Sequence, residues 1–420
     1  MTLVPAVKST ARVAHEKWLL ALTAIPTASG REDRVIEWVL KWVAGRGAKL
    51  AVVVDVAGNL LIHQGPSHQA TGRAARNRPL LITAHLDHPA FVLREVIDAK
   101  RARFEFRGGV HDPYFTKAAV EIIDGSDRTR PGVIESLDSK AKPYKQVVVR
   151  ISGAAAPLDG AAKGRKKSAH AISGTTGLDV GDIARWKLPS PRIVKAQTGQ
   201  GLRTRVIRTH ACDDLAALAA ALATLDSVAG RAGFEHVGVL LTVAEEVGFV
   251  GAIAAARNGS IPREARLICL ENSRSFADSP IGHGAILRVG DRMSVFSPEL
   301  TNQLGQLYLE HQRTTPAFTF QRKLMAGGAC EATAFASYGY ESTCLCLPLG
   351  NYHNMQDIDG ALAGKAAKVG PEFVALDDYH GLIEMLLVAA AGLDDLRVPS
   401  FRDRMEKIFA DNRAVVVGLR

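Results

Sequence analysis

The sequence predicts an α/β fold interrupted by a separate β-rich segment, and three observations carry that reading. Apolar, strand-like runs alternate with helical periods over the first and last thirds of the chain. From Ala90 to about Val194 the helical periods stop, and short runs are separated by Gly, Pro and Asp clusters. Finally, one apolar run after another ends in an acid or a histidine. Strands alternating with helices imply a sheet covered on both faces. At 420 residues the chain is too long for one compact core. The expected organisation is an α/β domain from residues 1–89 and 195–420, with an inserted β-rich domain at 90–194.

In order, His15 to Ile25 and Glu32 to Gly45 carry helical patterns, the second with Val35, Ile36, Val39, Leu40 and Val43 on one face. Between them, Pro26 to Gly30 is a turn whose Ser29 is placed to cap the second helix. Leu50 to Asp55 and Asn59 to His63 read as a hairpin around Ala57-Gly58, and Pro79 to Ala84 as a short strand. Within the insertion, Phe91 to Val96, Arg103 to Phe106, Ala118 to Ile123 and Gln146 to Ile151 read as strands. Helices are then expected at Asp213 to Val228, Gly248 to Ala256, Pro298 to Arg313, Glu331 to Tyr338, Asp377 to Gly392 and Phe401 to Ala410. The strands between them fall at His236 to Val243, Leu267 to Leu270, Phe318 to Lys323 and Ser342 to Leu347.

Composition narrows the function classes. Hydrophobic residues at 47% and charged residues at 23% are ordinary for a globular enzyme. No window approaches the 18 or so unbroken apolar residues of a membrane span, and Met1 to Trp18 lacks a signal-peptide pattern, so a cytoplasmic location is the default. Five cysteines without CxxC spacing indicate neither a disulfide framework nor a cysteine zinc site. The net charge of +9 includes a local basic cluster at Lys163 to Lys167, but no aromatics interleave it, so a solvated loop is expected and no nucleic-acid partner.

Ligands of open α/β sheets gather at the carboxyl ends of strands. Here Leu80 to Ala84 leads to His85, the run from His236 leads to Glu245 and Glu246, Leu267 to Leu270 leads to Glu271, and Cys344 to Pro348 leads to His353. Asp213 and Asp214 open a helix. Each alone has an ordinary explanation: a core histidine, a helix cap, first-turn acids drawn by the helix dipole. Together they match a metal site, and mixed nitrogen and oxygen ligands suit zinc, with cobalt or manganese as alternatives. Two metals about 3.5 to 4 Å apart activate water at neutral pH and polarise a carbonyl. One of the adjacent glutamates would hold metal and the other would move the proton. Asp87, two residues after His85, can accept the second imidazole N–H and fix its tautomer. No GxSxG elbow, P-loop or HExxH is present, since His15-Glu16-Lys17-Trp18-Leu19 lacks the second histidine.

Ala84-His85-Leu86-Asp87, Cys212-Asp213-Asp214, Ala244-Glu245-Glu246-Val247-Gly248 and Tyr352-His353 stand in the order and context of the glutamyl-aminopeptidase family. That family includes the tetrahedral aminopeptidases among the co-catalytic dinuclear zinc exopeptidases. Ser29-Gly30, Gly58-Asn59-Leu60, Ala90-Phe91-Val92, Gly108-Gly109, Val180-Gly181-Asp182 and Gly282 to Ala285 followed by Asp291 resemble its further segments. The resemblance implies a phosphorylase/hydrolase-like α/β sandwich with a PDZ-like inserted domain, assembled as a homo-oligomer. It implies two divalent ions per chain, one held by His85, Asp213 and Glu271 and the other by Asp213, Glu246 and His353, with Glu245 as general base and acid. The chain departs from the family where Glu271 replaces an Asp, where Leu215 follows Asp214, and where Gly327 to Ala332 stands for Gly-Gly-Thr-Asp-Ala. The expected activity is aminopeptidase action on short peptides. The rivals are a metallo-carboxypeptidase, an N-acyl amino acid deacylase taking acylated amino acids, and an inactive scaffold that binds peptides.

Overall fold

Two helices open the chain, α1 (Ser9–Leu22) and α2 (Asp33–Ala44). The face of α2 bearing Val35, Val39, Trp42 and Val43 is buried. Ser29 does not cap this helix: α2 starts after Glu32 without a side-chain cap, and the Ser29 hydroxyl donates to the Asp87 carboxylate instead. An ionised carboxylate is the stronger partner and draws the hydroxyl across the fold. The structure is a computed structural model that describes residues 4–65, 77–158, 177–198, 201–395 and 401–417, so the basic cluster at 163–167 lies outside the described residues.

Strands β1 (Leu50–Val54) and β2 (Leu60–Gln64) pair antiparallel as a hairpin. Its turn is held by Asp55 Oδ1, which accepts from the Ala57 and Asn59 amides at 2.8 and 3.0 Å. Strand β3 (Leu80–His85) is buried along its whole length. Then come β4 (Ala90–Val96), β5 (Arg101–Arg107), β6 (Ala119–Ile123), β7 (Arg128–Asp138), β8 (Lys145–Ile151), β9 (Ala156–Pro157) and β10 (Ile183–Trp186). These form a sheet of their own in the order β6-β10-β4-β5-β8-β7-β9, and an additional β6–β7 pairing closes it into a barrel. Phe91, Phe104, Phe106, Phe115 and Trp186 fill its separate core, with edge-to-face ring contacts such as Phe106 on Phe115 at 4.9 Å.

The remaining chain supplies β11 (Arg192–Gln197), β12 (Arg203–Thr209), α3 (Leu215–Val228), β13 (Val237–Thr242), α4 (Val250–Asn258), β14 (Arg266–Arg274), β15 (Ala285–Asp291), α5 (Pro298–Thr314), β16 (Phe320–Met325), α6 (Glu331–Ser337) and β17 (Glu341–Leu349). It ends with β18 (Met355–Gln356), α7 (Ile358–Leu362), β19 (Lys368–Val369), β20 (Glu372–Ala375), α8 (Leu376–Gly392) and α9 (Phe401–Val417). The main sheet has the order β1-β2-β13-β3-β14-β17-β15-β16. Its central strands β13, β3, β14 and β17 are parallel, so their carboxyl ends share one edge.

Helices cover both faces, as a largely parallel sheet requires. On one face the alanine-rich α3 packs with α1, α2, α5 and α8 in a single apolar cluster; on the other, α4 and α6 meet the sheet in a second. A Leu222→Ala change in that first layer would cost about 2–5 kcal/mol. No helix of the described residues is long and apolar enough to cross a membrane.

Candidate metal centre

At the shared carboxyl edge, His85 ends β3 and Glu271 lies within β14. Glu245 and Glu246 occupy the turn between β13 and α4, and His353 follows β17. The adjacent glutamates are therefore not first-turn residues of α4. The backbone there is tightly folded: Ala244 has φ +52, and a Cβ on Gly251 would fall 2.2 Å from the Val243 carbonyl oxygen, so only glycine lets the chain pass.

Asp213 is the centre of the geometry. One of its carboxylate oxygens lies 3.4 Å from His85 Nε2 and the other 3.2 Å from His353 Nε2. Glu246 Oε1 is also 3.2 Å from His353 Nε2, and Glu245 Oε2 is 3.9 Å from His85 Nε2. Behind the rings, His353 Nδ1 donates to the Gly109 carbonyl at 2.6 Å, which turns Nε2 towards the acids. His85 Nδ1 faces the Asp87 carbonyl at 3.1 Å and its carboxylate at 3.4 Å, with the same effect.

Asp87 also fixes the glutamate pair. Its two carboxylate oxygens accept from the Glu245 and Glu246 amides at 3.0 and 3.1 Å. Glu32 adds the Ala244 amide at 2.9 Å. A further carboxylate, not anticipated from the sequence, staples the other side: Glu372 Oε2 accepts from the Cys212 and Asp213 amides at 2.6 and 3.0 Å, and Oε1 from the His353 amide at 2.8 Å. Its only sequence signal is an acid opening β20, ahead of an apolar helix. Asn272 was missed too; its amide donates to Asp214 Oδ1 at 2.7 Å and to the Cys212 carbonyl at 2.9 Å.

The electrostatics follow from packing more acids than imidazoles away from water. Burial drives Glu245, Glu271 and Asp214 well above the usual carboxylate range. Burial works against charge on both imidazoles, yet Glu245 beside His85 and Glu246 beside His353 push them well above their ordinary value. Asp213 goes the other way: burial opposes it, but His353 and His85 hold its carboxyl below the normal range.

Three of these buried atoms, His85 Nε2, Asp213 Oδ1 and Glu246 Oε1, have no hydrogen-bond partner among the described residues. Such orphaned atoms are costly unless something else meets them. Nitrogen and oxygen donors converging on one point fit a divalent cation. Three ligand groups gather within 4.8 Å: Asp213 with Glu246 and His353, His85 with Asp213 and Asp214, and His85 with both glutamates. Glu271 belongs to none of these groups but lines the same cleft, about 580 Å³ in volume, with Asp213, Glu245, Glu246 and His353. Asp214 is the poorer ligand, since its oxygens already accept from Asn272 and, at 3.3 Å, from the His85 amide.

Residues 68–363 match the profile of the M42 glutamyl aminopeptidase family. No curated protein sequence matches the chain. Among solved structures, the chain is similar to an aminopeptidase from the archaeon Desulfurococcus kamchatkensis, with a TM-score of 0.65 at 18% identity over 93% of this chain and 99% of that one. A TET aminopeptidase from a marine sediment thaumarchaeote gives 0.65 at 19% identity, over 91% and 97%. The Pyrococcus horikoshii TET1 peptidase, described as assembling into a tetrahedron or a large octahedral shell, gives 0.64 at 19% identity, over 90% and 99%. These likenesses are of fold.

Proposed function

The chain belongs to the M42 glutamyl aminopeptidase family, and from that membership we propose that its cleft releases N-terminal residues from short peptides with two divalent metal ions. The observation that carries this reading is the Asp213 carboxylate, which turns one oxygen to each of two imidazoles. A carboxylate so placed is suited to join two cations. His85 and Glu271 would complete one site with it, and Glu246 and His353 the other. Glu271 is one carbon longer than the Asp of the matching family position, and its carboxylate lines the same cleft. Zinc suits this donor set best, with cobalt or manganese as alternatives. When bound, such ions supply Lewis acidity towards a carbonyl oxygen and lower the pKa of water.

The side chains do the rest. Glu245 takes a proton from the attacking water and returns it to the leaving amine. Asp87 is a positioning residue, because its carboxylate holds both glutamate amides. We read residues 1–89 with 195–420 as the catalytic domain and 90–194 as a PDZ-like insertion. Gly109 of that insertion reaches the His353 ring, which supports a role in shaping the site. The shell described for the Pyrococcus peptidase supports a homo-oligomer here, and five free, buried cysteines support a cytoplasmic location.

Hydrolysis of a free dipeptide beside its N-acetylated form, in wild type and Glu245→Gln, tests the proposal. The free amine should be required, and Glu245→Gln should lower kcat by about 10²- to 10⁴-fold with metal retained. Equal cleavage of the acetylated form would favour a deacylase, and normal turnover of the loaded variant would remove Glu245 from its role.

A further inference from the structure

The side chains of helix α9 (Phe401–Val417) from 402 to 416 are all exposed. Met405, Ile408, Phe409, Val415 and Val416 are each more than half accessible. Met405, Ile408, Asn412 and Val415 follow one another at intervals of three, four and three, the spacing of a coiled-coil seam. Phe409 and Val416 widen the stripe along one side. A helix of this length is marginal in water by itself, and its stability comes from covering such a face.

We propose that α9 pairs with α9 of a second copy of this chain. Three features select that occupant. Arg404 and Asp411 take equivalent places along the other flank of the stripe, one turn pair apart and opposite in charge; Asp411 already meets Lys407 of its own helix at 2.8 Å, and an antiparallel pair of identical helices sets Arg404 of the second copy beside it as well. Asn412 is the one polar residue in the described seam, and a single buried Asn fixes register and copy number at some cost in stability. The outer surface mixes four basic residues (Arg402, Arg404, Lys407, Arg413) with three acidic ones (Asp403, Glu406, Asp411), unlike the basic face of a lipid-binding helix.

Cross-linking in the full chain tests it. The five native cysteines are buried, so an added surface cysteine is the reactive one. Ile408 lies near the middle of α9, where identical helices overlap in either direction, and Ala410 lies on the opposite face. With a bismaleimide spanning about one helical turn, Ile408→Cys should give a covalent dimer mapped to α9 on both chains. Ala410→Cys should give little, and Ile408→Asp should lower the sedimenting mass while dipeptide hydrolysis is unchanged. No dimer from Ile408→Cys, equal dimer from both positions, or pelleting of the wild type with phosphatidylcholine vesicles would overturn the pairing.

Discussion

Glu372 touches no expected ligand atom, yet it accepts from the backbones that carry Asp213 and His353. Burial pushes its carboxyl above the usual carboxylate range, and its two oxygens serve three amides. Glutamine keeps the size but gives up one acceptor oxygen, so Glu372→Gln should stay folded while metal affinity falls about 10- to 100-fold, the usual effect of a lost support behind a ligand. Chelator competition measures this; unchanged affinity would show that the staple does not position the ligands. The proposed ligands differ from Glu372 in what was legible. His85, Glu246 and His353 announce themselves as polar residues closing apolar runs and Asp213 as an acid opening a helix, whereas Glu372 acts on main-chain amides, and Asn272 on the Asp214 carboxylate and the Cys212 carbonyl, that only the folded chain brings near. Glu271 was legible as a residue type, but its separation from the other donors was not, because only the folded chain shows its carboxylate accepting from the neighbouring Asn272 amide.

At the level of elements, the alternation of strand and helix was readable wherever one face or both are apolar. Strand β15 escaped because it carries Arg288, almost fully buried, and Gly290 within an otherwise apolar run, with Gly282 and Gly284 ahead of it. The sheet β11-β12-β20 escaped because its outer strand is polar and largely exposed and its partners lie far apart in sequence. Helix α1 offers a prediction of its own. His15 is fully buried in it, and both ring nitrogens are without a hydrogen-bond partner among the described residues. Burial lowers its pKa from 6.5 to about 4. Between those values the unfolded chain binds the proton and the native one does not, so this contribution is intact above pH 6.5 and is lost as pH falls towards 4. The window is worth about 2–3 kcal/mol. In metal-free protein, the gap in urea stability between pH 7.5 and 4.5 should narrow by roughly that amount in His15→Leu; an unchanged gap would mean that His15 is protonated in the native state.

Over the whole molecule, the two-part architecture follows from two patterns of burial. Continuous apolar strands with helices between them form the covered parallel sheet, and short alternating strands form a barrel with its own aromatic core. What the sequence could not supply is the closure of that barrel, since β6 meets both β10 and β7 through pairings that no local period records. The order of strands matters for the proposed function because it sets β3, β13, β14 and β17 side by side and so gathers the proposed ligands from residues 85 to 353. The central claim is that this edge holds two cations through a shared Asp213. Metal content after reconstitution and exhaustive dialysis tests it most directly, in wild type and Asp213→Ala, with folding checked by circular dichroism. The account predicts two divalent ions per wild-type chain and fewer than one in the variant. A folded wild type that retains less than one ion, or a variant that still holds two, would contradict it.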